Sequence, residues 1–218
     1  DWSSDVCSSD PTDPDSPTTK LSREHVVDSP AHGFVSIAGG KYTTYRVMSE
    51  DAVNEAINHM RKIVPDSVTE TLAIIGAEGY SVLMNQIPRL AQKYEIHESS
   101  VEHLLNRYGS LIDEVLEPAQ SNTELFQEVI PNLPYLNAEI LYAVTHEGAR
   151  SIDDVLSRRT RIAFEALDQG LSVIDDVAEL IAPHLGWNVT QKTASIQEYR
   201  AIVERQNTEL SVAKKEKS

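Results

Sequence analysis

Apolar positions along this chain follow two periods. Gly33-Phe34-Val35-Ser36-Ile37-Ala38 is a short β-branched run opened by glycine and followed by two more, which predicts a buried strand. It leads into Gly39-Gly40-Lys41, after which Tyr45, Met48, Ala52, Ala56 and Met60 recur on one helical face, with Val53 and Ile57 beside them. His59, Arg61 and Lys62 complement the dipole of that helix, and Pro65 ends it. Past a short apolar connector, Thr71 to Ile75, the period is helical throughout. It predicts helices over 79–94, 99–108, 110–116, 122–130, 137–146, 151–167, 171–185 and 190–210.

The breaks carry Gly109, Pro118, Pro131, Pro134, Gly148, Gly170 and Gly186, residues that stop or cap helices. Ser151 with Asp154 resembles a capping box with a shorter acid, and Pro183 is expected to kink or shorten its helix. Within 171–185, Val173, Val177, Leu180 and Ile181 form a stripe that needs a partner surface. Residues 10–20 are Pro, Asp, Ser and Thr, which cannot bury a face. Residues 1–9 match nothing that follows and resemble a stretch translated from a sequencing adaptor. On that reading they are non-native, Cys7 has no meaning, and the protein continues upstream. The expected organisation is a disordered 1–20, a strand-turn-helix unit over 21–68, a helical domain over 69–207 and a disordered tail over 208–218. The fold class is mainly α.

Composition narrows the function. Of 218 residues, 34 are acidic and 19 basic, for a formal net charge of −15, which disfavours a nucleic-acid binder. Lys214, Lys215 and Lys217 make a compact basic run that reads as a solvated tail. The single cysteine permits neither an intrachain disulfide nor a thiolate metal site and suggests a reducing, cytoplasmic location. No apolar stretch reaches the roughly 18 residues of a membrane span.

Chemistry concentrates at Gly39-Gly40-Lys41-Tyr42-Thr43-Thr44. Two glycines let backbone approach a flat ring or a phosphate, the first amides of the following helix carry partial positive charge, and Lys41 adds a full one. By itself the turn is neither a phosphate loop nor G-x-G-x-x-G, and an ordinary strand-to-helix turn explains it as well. The remaining candidates are weaker. His146-Glu147 lacks the second histidine of a zinc motif and reads as a buried or interfacial histidine. Arg158, Arg159 and Arg161 could hold a phosphate, but a solvated face or ion pairs fit them better. His25 shows no partner, and Asp153 and Asp154 point different ways on a helix. No metal site is expected.

The run Val35 to Met48, with Gly39-Gly40-Lys41-Tyr42-Thr43-Thr44-Tyr45-Arg46 at its centre and Asp51-Ala52-Val53 behind it, resembles the end of the FAD-binding domain of aerobic, FAD-dependent glycerol-3-phosphate dehydrogenases. Leu21-Ser22-Arg23-Glu24-His25 is similar to the segment entering the same site. His103 to Gly109, Tyr142 to Ala149 and Asp153 to Arg161 resemble the C-terminal helical domain of that family, especially its actinobacterial members. The resemblance implies oxidation of sn-glycerol 3-phosphate to dihydroxyacetone phosphate by hydride transfer from C2 to flavin N5, with electrons passing to quinone at a membrane surface. It implies that Gly39, Gly40, Lys41, Tyr42, Thr43 and Thr44 bind the cofactor FAD. Lys41 would be catalytic and substrate-binding, and Arg23 would bind the substrate phosphate. The family's G-x-G-x-x-G unit for the ADP half of FAD is absent from these 218 residues. The chain then holds half a flavin site, inactive alone, and any membrane contact is expected from the missing part or from an apolar surface of the fold.

Two alternatives stand beside that reading: a non-catalytic helical interaction module, and another flavin-dependent oxidoreductase of the same superfamily. An interaction module would bury Lys41 or pair it with a carboxylate, whereas a flavin site needs the turn's amides free. A partial α/β unit should also leave apolar surface uncovered at Val35, Ile37 and the Tyr45 to Ile57 face. Oligomeric state is left open by the sequence.

Overall fold

The structure, a computed structural model, describes residues 25–60 and 62–215. Residues 1–20 with Cys7, the segment Leu21 to Glu24 that includes Arg23, and also Arg61 and Lys217 lie outside the described residues. Two compact units divide after Ala73.

In the first unit β1 (His25–Ala31) and β2 (Phe34–Gly39) form an antiparallel hairpin in which His25 lies opposite Gly39 and Val27 opposite Ile37. The strand β1 was not expected. Only Val26 and Val27 signal it, Pro30 argues against it, and the pairing is irregular between Asp28 and Ala31. Along β1, His25, Val27 and Ser29 are half-buried while Val26, Asp28 and Pro30 are exposed, the alternation of a one-sided strand. The half-buried face meets α1 (Tyr45–Asn58) through polar contacts. His25 Nε2 lies 2.6 Å from Asp51 Oδ2, Ser29 Oγ donates to Glu55 Oε1 at 2.9 Å, and His59 Nε2 lies 3.0 Å from Ser29 Oγ. Asp51, Glu55 and His59 follow at four-residue steps, so one helical face reads one strand face.

Among the described residues of this unit none is buried, which corrects the expectation of a buried strand. Phe34, Ile37, Tyr45, Val47 and Val53 are exposed, while Val35, Met48, Ala52, Ala56 and Ile57 are half-buried. Of the apolar surface expected at this face, Ile37, Tyr45 and Val53 are exposed, while Val35, Met48, Ala52, Ala56 and Ile57 are half covered within the unit.

The second unit, from Ile74, is helical: α2 (Tyr80–Met84), α3 (Ile87–Tyr94), α4 (Glu98–Tyr108), α5 (Ile112–Leu116), α6 (Asn137–Thr145), α7 (Ile162–Glu165), α8 (Ile174–Leu185) and α9 (Val189–Lys215). The pattern that builds it is plain in α4, where Val101, Leu104, Leu105 and Tyr108 are buried, and in α8, where Ile174, Val177, Ala178, Ile181 and Ala182 are. One core joins α3, α4, α5 and one side of α6 through Leu104, Leu105, Leu116 and Leu141. A second joins the other side of α6 to α8 and α9 through Ile140, Ile152, Leu156, Ile181 and Tyr199. Helix α6 is accordingly buried at every position from Ala138 to Ala143.

Five expectations are corrected. The helix over 79–94 is split into α2 and α3, with Pro88 placed in the first turn of α3, where its missing N–H is harmless. Residues 122–130 form a 3₁₀ turn, Thr123–Phe126, and then a bridge pairing Glu128 with Leu136. The segment over 151–167 is a π-helix, Asp154–Arg159, that stops at Thr160. There the amide and Oγ1 both bond to Val155 O at 2.8 Å and the backbone turns extended before α7. Pro183 does not shorten α8, which runs past it to Leu185, because it sits in the last turn, which Gly186 closes in the left-handed region. The helix α9 also runs on to Lys215, through residues read as a tail.

One turn requires glycine. Gly109 has φ +57°, a Cβ there would run into the Gly76 carbonyl, and Ser110 N donates to Gly76 O at 2.9 Å. Two stretches of main chain touch there with no room for a side chain.

Candidate functional site

The turn between β2 and α1 places the residues singled out by sequence. Gly39 and Gly40 take φ of +78° and +81°, so the chain reverses from strand to helix through two left-handed positions. A Cβ on Gly40 would lie 2.6 Å from Met48 Sδ and 3.2 Å from His25 Cβ. A side chain there would push the flexible end of Met48 aside, and the left-handed backbone would strain it. Tyr42–Thr44 is a single 3₁₀ turn that leads into α1. Thr44 closes it: its amide donates to Lys41 O at 3.0 Å, its Oγ1 donates to the same oxygen at 2.9 Å, and Oγ1 accepts from Lys41 N at 3.3 Å.

What this leaves open is specific. Among the described residues, the Tyr42 and Thr43 amides have no hydrogen-bond acceptor. Lys41 is exposed and has no carboxylate partner among them. An unpaired ammonium beside two outward amides can hold a negative charge or an electron-rich edge. Tyr42 and Tyr45 lie beside the turn with rings 6.1 Å apart, both exposed. Arg46 is turned away, bonded to Glu50 at 2.6 Å and to Thr69 Oγ1 at 3.3 Å.

His25 is corrected: it has a partner, Asp51, which the sequence alone did not reveal because the two are 26 residues apart. Nearby, hydrogen bonds from Ser29, Asn58 and His59 hold the Glu55 carboxyl below its ordinary range.

The other candidates disperse. Arg158 pairs with Asp153 and with Asp154 at 3.1 Å on an exposed face, Arg159 Nε donates to Glu147 O at 2.9 Å, and Arg161 reaches Glu165 at 3.2 Å. Three arginines bound in three places make no phosphate site. Asp154 takes the capping role, its Oδ2 accepting from the Arg150 and Ser151 amides while its own amide donates to Ser151 Oγ. His146 is half-exposed, which removes the buried alternative of the two readings given for it. It stacks on Tyr142 with centroids 4.4 Å apart, and its Nδ1 lies 2.8 Å from Thr145 Oγ1.

Sequence reasoning missed a buried polar cluster in the helical unit. Glu139 is fully buried on α6; its Oε2 accepts from Leu136 N and its Oε1 accepts from His103 Nε2, both at 2.9 Å. Arg107 Nε stands 3.9 Å from the same Oε1, and Arg107 Nη2 stands 3.7 Å from Glu147 Oε2. Burial pushes the Glu147 carboxyl up, opposed by Arg107 and Arg159, and pushes the Tyr108 phenol up as well. Tyr142 OH donates to Glu114 at 2.6 Å. A charge at an otherwise apolar helical stripe, as at Glu139, is the signal that could have found the cluster.

The chain thus carries a hairpin and helix with an exposed lysine and unbonded amides at their turn, followed by a two-core helical unit. Residues 67–192 match the family model described as the C-terminal domain of alpha-glycerophosphate oxidase. The chain is 44% identical over 187 residues to glycerol-3-phosphate dehydrogenase 2 of Mycobacterium tuberculosis, covering 86% of this chain and 32% of the relative. It is 42% identical over 187 residues to the glycerol-3-phosphate dehydrogenase of Mycobacterium leprae, with the same coverage. Among solved structures, the glycerol-3-phosphate dehydrogenase of Bacillus halodurans complexed with FAD superposes with a TM-score of 0.65 at 25% identity, covering 78% of this chain and 35% of that one. The chain belongs to the glycerol-3-phosphate oxidase and dehydrogenase family and corresponds to its C-terminal domain. It spans about a third of the length of the curated relatives it matches.

Proposed function

We propose that this chain is the C-terminal part of a flavoenzyme that oxidises sn-glycerol 3-phosphate to dihydroxyacetone phosphate and passes the electrons to a quinone. The observation that carries the reading is the exposed, carboxylate-free Lys41 beside the unbonded amides of Tyr42 and Thr43, in a chain 44% identical to a glycerol-3-phosphate dehydrogenase. These residues fit one edge of a flavin: donors and a cation face outward, and the paired left-handed glycines put the backbone itself at the surface. When bound, FAD supplies the acceptor for a hydride from C2 of the substrate.

The chain's own residues have narrower tasks. The Tyr42 and Thr43 amides would donate to carbonyl oxygen on the ring, fixing its orientation. Gly39, Gly40 and Thr44 hold those amides in place. Lys41 would hold substrate oxygen and offset negative charge nearby. Arg23 would hold the substrate phosphate, a task suited to a planar guanidinium.

No helix among the described residues is long and apolar enough to cross a membrane, and a net charge of −15 opposes anionic lipid. Quinone reduction and peripheral contact with the inner face of the cell membrane belong to the proposal for the whole enzyme. The 218-residue chain expressed alone should purify without flavin absorbance and without activity on glycerol 3-phosphate. Co-purifying flavin would overturn the half-site reading. Joined in frame to a region with a G-x-G-x-x-G strand-turn-helix, the chain should support dehydrogenase activity, and Lys41→Ala should remove most of it while flavin stays bound.

A further inference from the structure

Two left-handed glycines give a turn no direction of its own. Glycine adopts either sign of φ about as readily, so Gly39 and Gly40 allow β2 and α1 to meet at many angles, and something outside the turn has to choose one. Thr44 does not choose it, because its bonds run only to Lys41, on the helix side of the glycines. Among the described residues, side-chain hydrogen bonds join the hairpin to α1 at two places: His25 with Asp51, and Ser29 with Glu55 and His59. The second lies four residues along β1 from the first, about 13 Å in an extended strand, and away from the turn. Arg46 ties α1 to Thr69 and not to the hairpin.

His25 stands against the turn itself. It lies opposite Gly39 in the hairpin, and its Cβ is 3.2 Å from where a Cβ on Gly40 would sit. Met48 of α1 crowds the same point with its Sδ at 2.6 Å, so strand, turn and helix converge on Gly40. The His25 imidazole reaches across to α1, where Nε2 meets Asp51 Oδ2 at 2.6 Å. An imidazole N–H that donates to a carboxylate makes a charge-assisted bond, short and directional. The His25 side chain is 17% exposed and that of Asp51 46%, so the mostly covered ring has this carboxylate where an open one would have water.

We propose that His25 and Asp51 are positioning residues: their bond fixes α1 against the hairpin at the glycine pair and so aims Lys41 and the Tyr42 and Thr43 amides. Neither acts on a ligand. Asp51 sits in the second turn of α1, past the turn that carries the free amides, and its carboxylate is taken up by His25. The tether is a property of the chain itself, whereas its consequence for catalysis rests on the reading of the turn as one edge of a flavin site. There a misplacement of about 1 Å costs a reaction up to roughly 100-fold in rate.

Backbone ¹⁵N relaxation of the 218-residue chain tests the tether without any ligand. In the parent, the order parameters of Lys41, Tyr42, Thr43 and Thr44 should stand near the rigid value of about 0.85, and in His25→Phe they should fall below about 0.6 while Val27, Val35 and Ile37 keep theirs. Asp51→Ala should match His25→Phe, the double variant should be no worse than either, and His25→Gln, whose amide can donate to Asp51, should restore most of the order. A turn already mobile in the parent, or unchanged in both single variants, would overturn the proposal. So would loss of order throughout the hairpin, because the pair would then hold the fold and not the turn. In the in-frame fusion described above, His25→Phe should lower kcat about 10- to 100-fold with flavin still bound, and His25→Gln should recover it. An unchanged kcat would overturn the positioning role. A parent fusion without flavin or activity would count against the flavin reading alone, and the relaxation result would still decide the tether.

Discussion

The two units of this chain solve the same problem in opposite ways. From Ile74 onward, helices surround two apolar cores in which many large side chains are completely buried, Leu104, Ile140, Ile152 and Ile181 among them. Each such side chain contributes about 1.5–3 kcal/mol by leaving water. Before Ala73, among the described residues, no side chain is buried, and helix meets hairpin through His25–Asp51 and Ser29–Glu55–His59. The unit that carries the proposed flavin-binding turn is thus the one with no buried side chain among its described residues, while the helical unit also buries polar groups, Ser100, Glu139 and Thr160.

The contrast breaks most visibly at backbone contacts. Gly109→Ala should cost the helical unit roughly 3–5 kcal/mol, the scale of exceptional single substitutions, because main chain occupies the space a methyl group would need. Denaturant unfolding measures it, and a loss below about 1 kcal/mol would contradict the close approach. Next, Leu104→Ala should cost about 2–5 kcal/mol by leaving a cavity, whereas Met48→Ala, at a half-buried site in the first unit, should cost less than half as much. Equal losses would erase the distinction.

Acid should move the two units in opposite directions. Glu55 is held below the ordinary value of 4.5 by its hydrogen bonds, so its contribution is present above that pH and lost as pH falls through the lowered folded value. Glu147 is raised by burial, so its charge opposes the fold above the raised value, and that opposition fades as pH falls toward 4.5. At neutral pH, Glu55→Gln should therefore be less stable than the parent and Glu147→Gln more stable, with both differences closing on acidification. Matched pH series of thermal melts check the signs. The smallest effect on stability belongs to Lys41→Ala, within about 0.5 kcal/mol, since an exposed side chain without a charge partner supports nothing in the fold. A larger loss would mean that Lys41 is structural.

Legibility in the sequence followed the same division. Helices α4 and α8 could be read from spacing alone, because a buried stripe leaves a 3.6-residue period. Gly186 could be read as a stop, since only its backbone conformation matters. The strand β1 was hidden because its inner face is His25, Val27 and Ser29, and a polar face has no hydrophobic period to detect. The π segment was hidden for another reason: Asp154–Arg159 has an ordinary helical composition, and the break depends on Thr160 bonding backward to Val155. At the glycine turn, residue types showed where backbone would be bare. That Gly40 serves Met48 and that Lys41 goes unpaired are facts of distance, which no linear pattern contains.

Helix α6 gives the helical unit a particular mode of failure. A helix that touches apolar neighbours on every side has no solvent face on which to persist when either neighbour leaves, and it carries Glu139, an ion that then has to find water. The α3–α5 half and the α8–α9 half should melt in a single step, and damage to one should register in the other within that step.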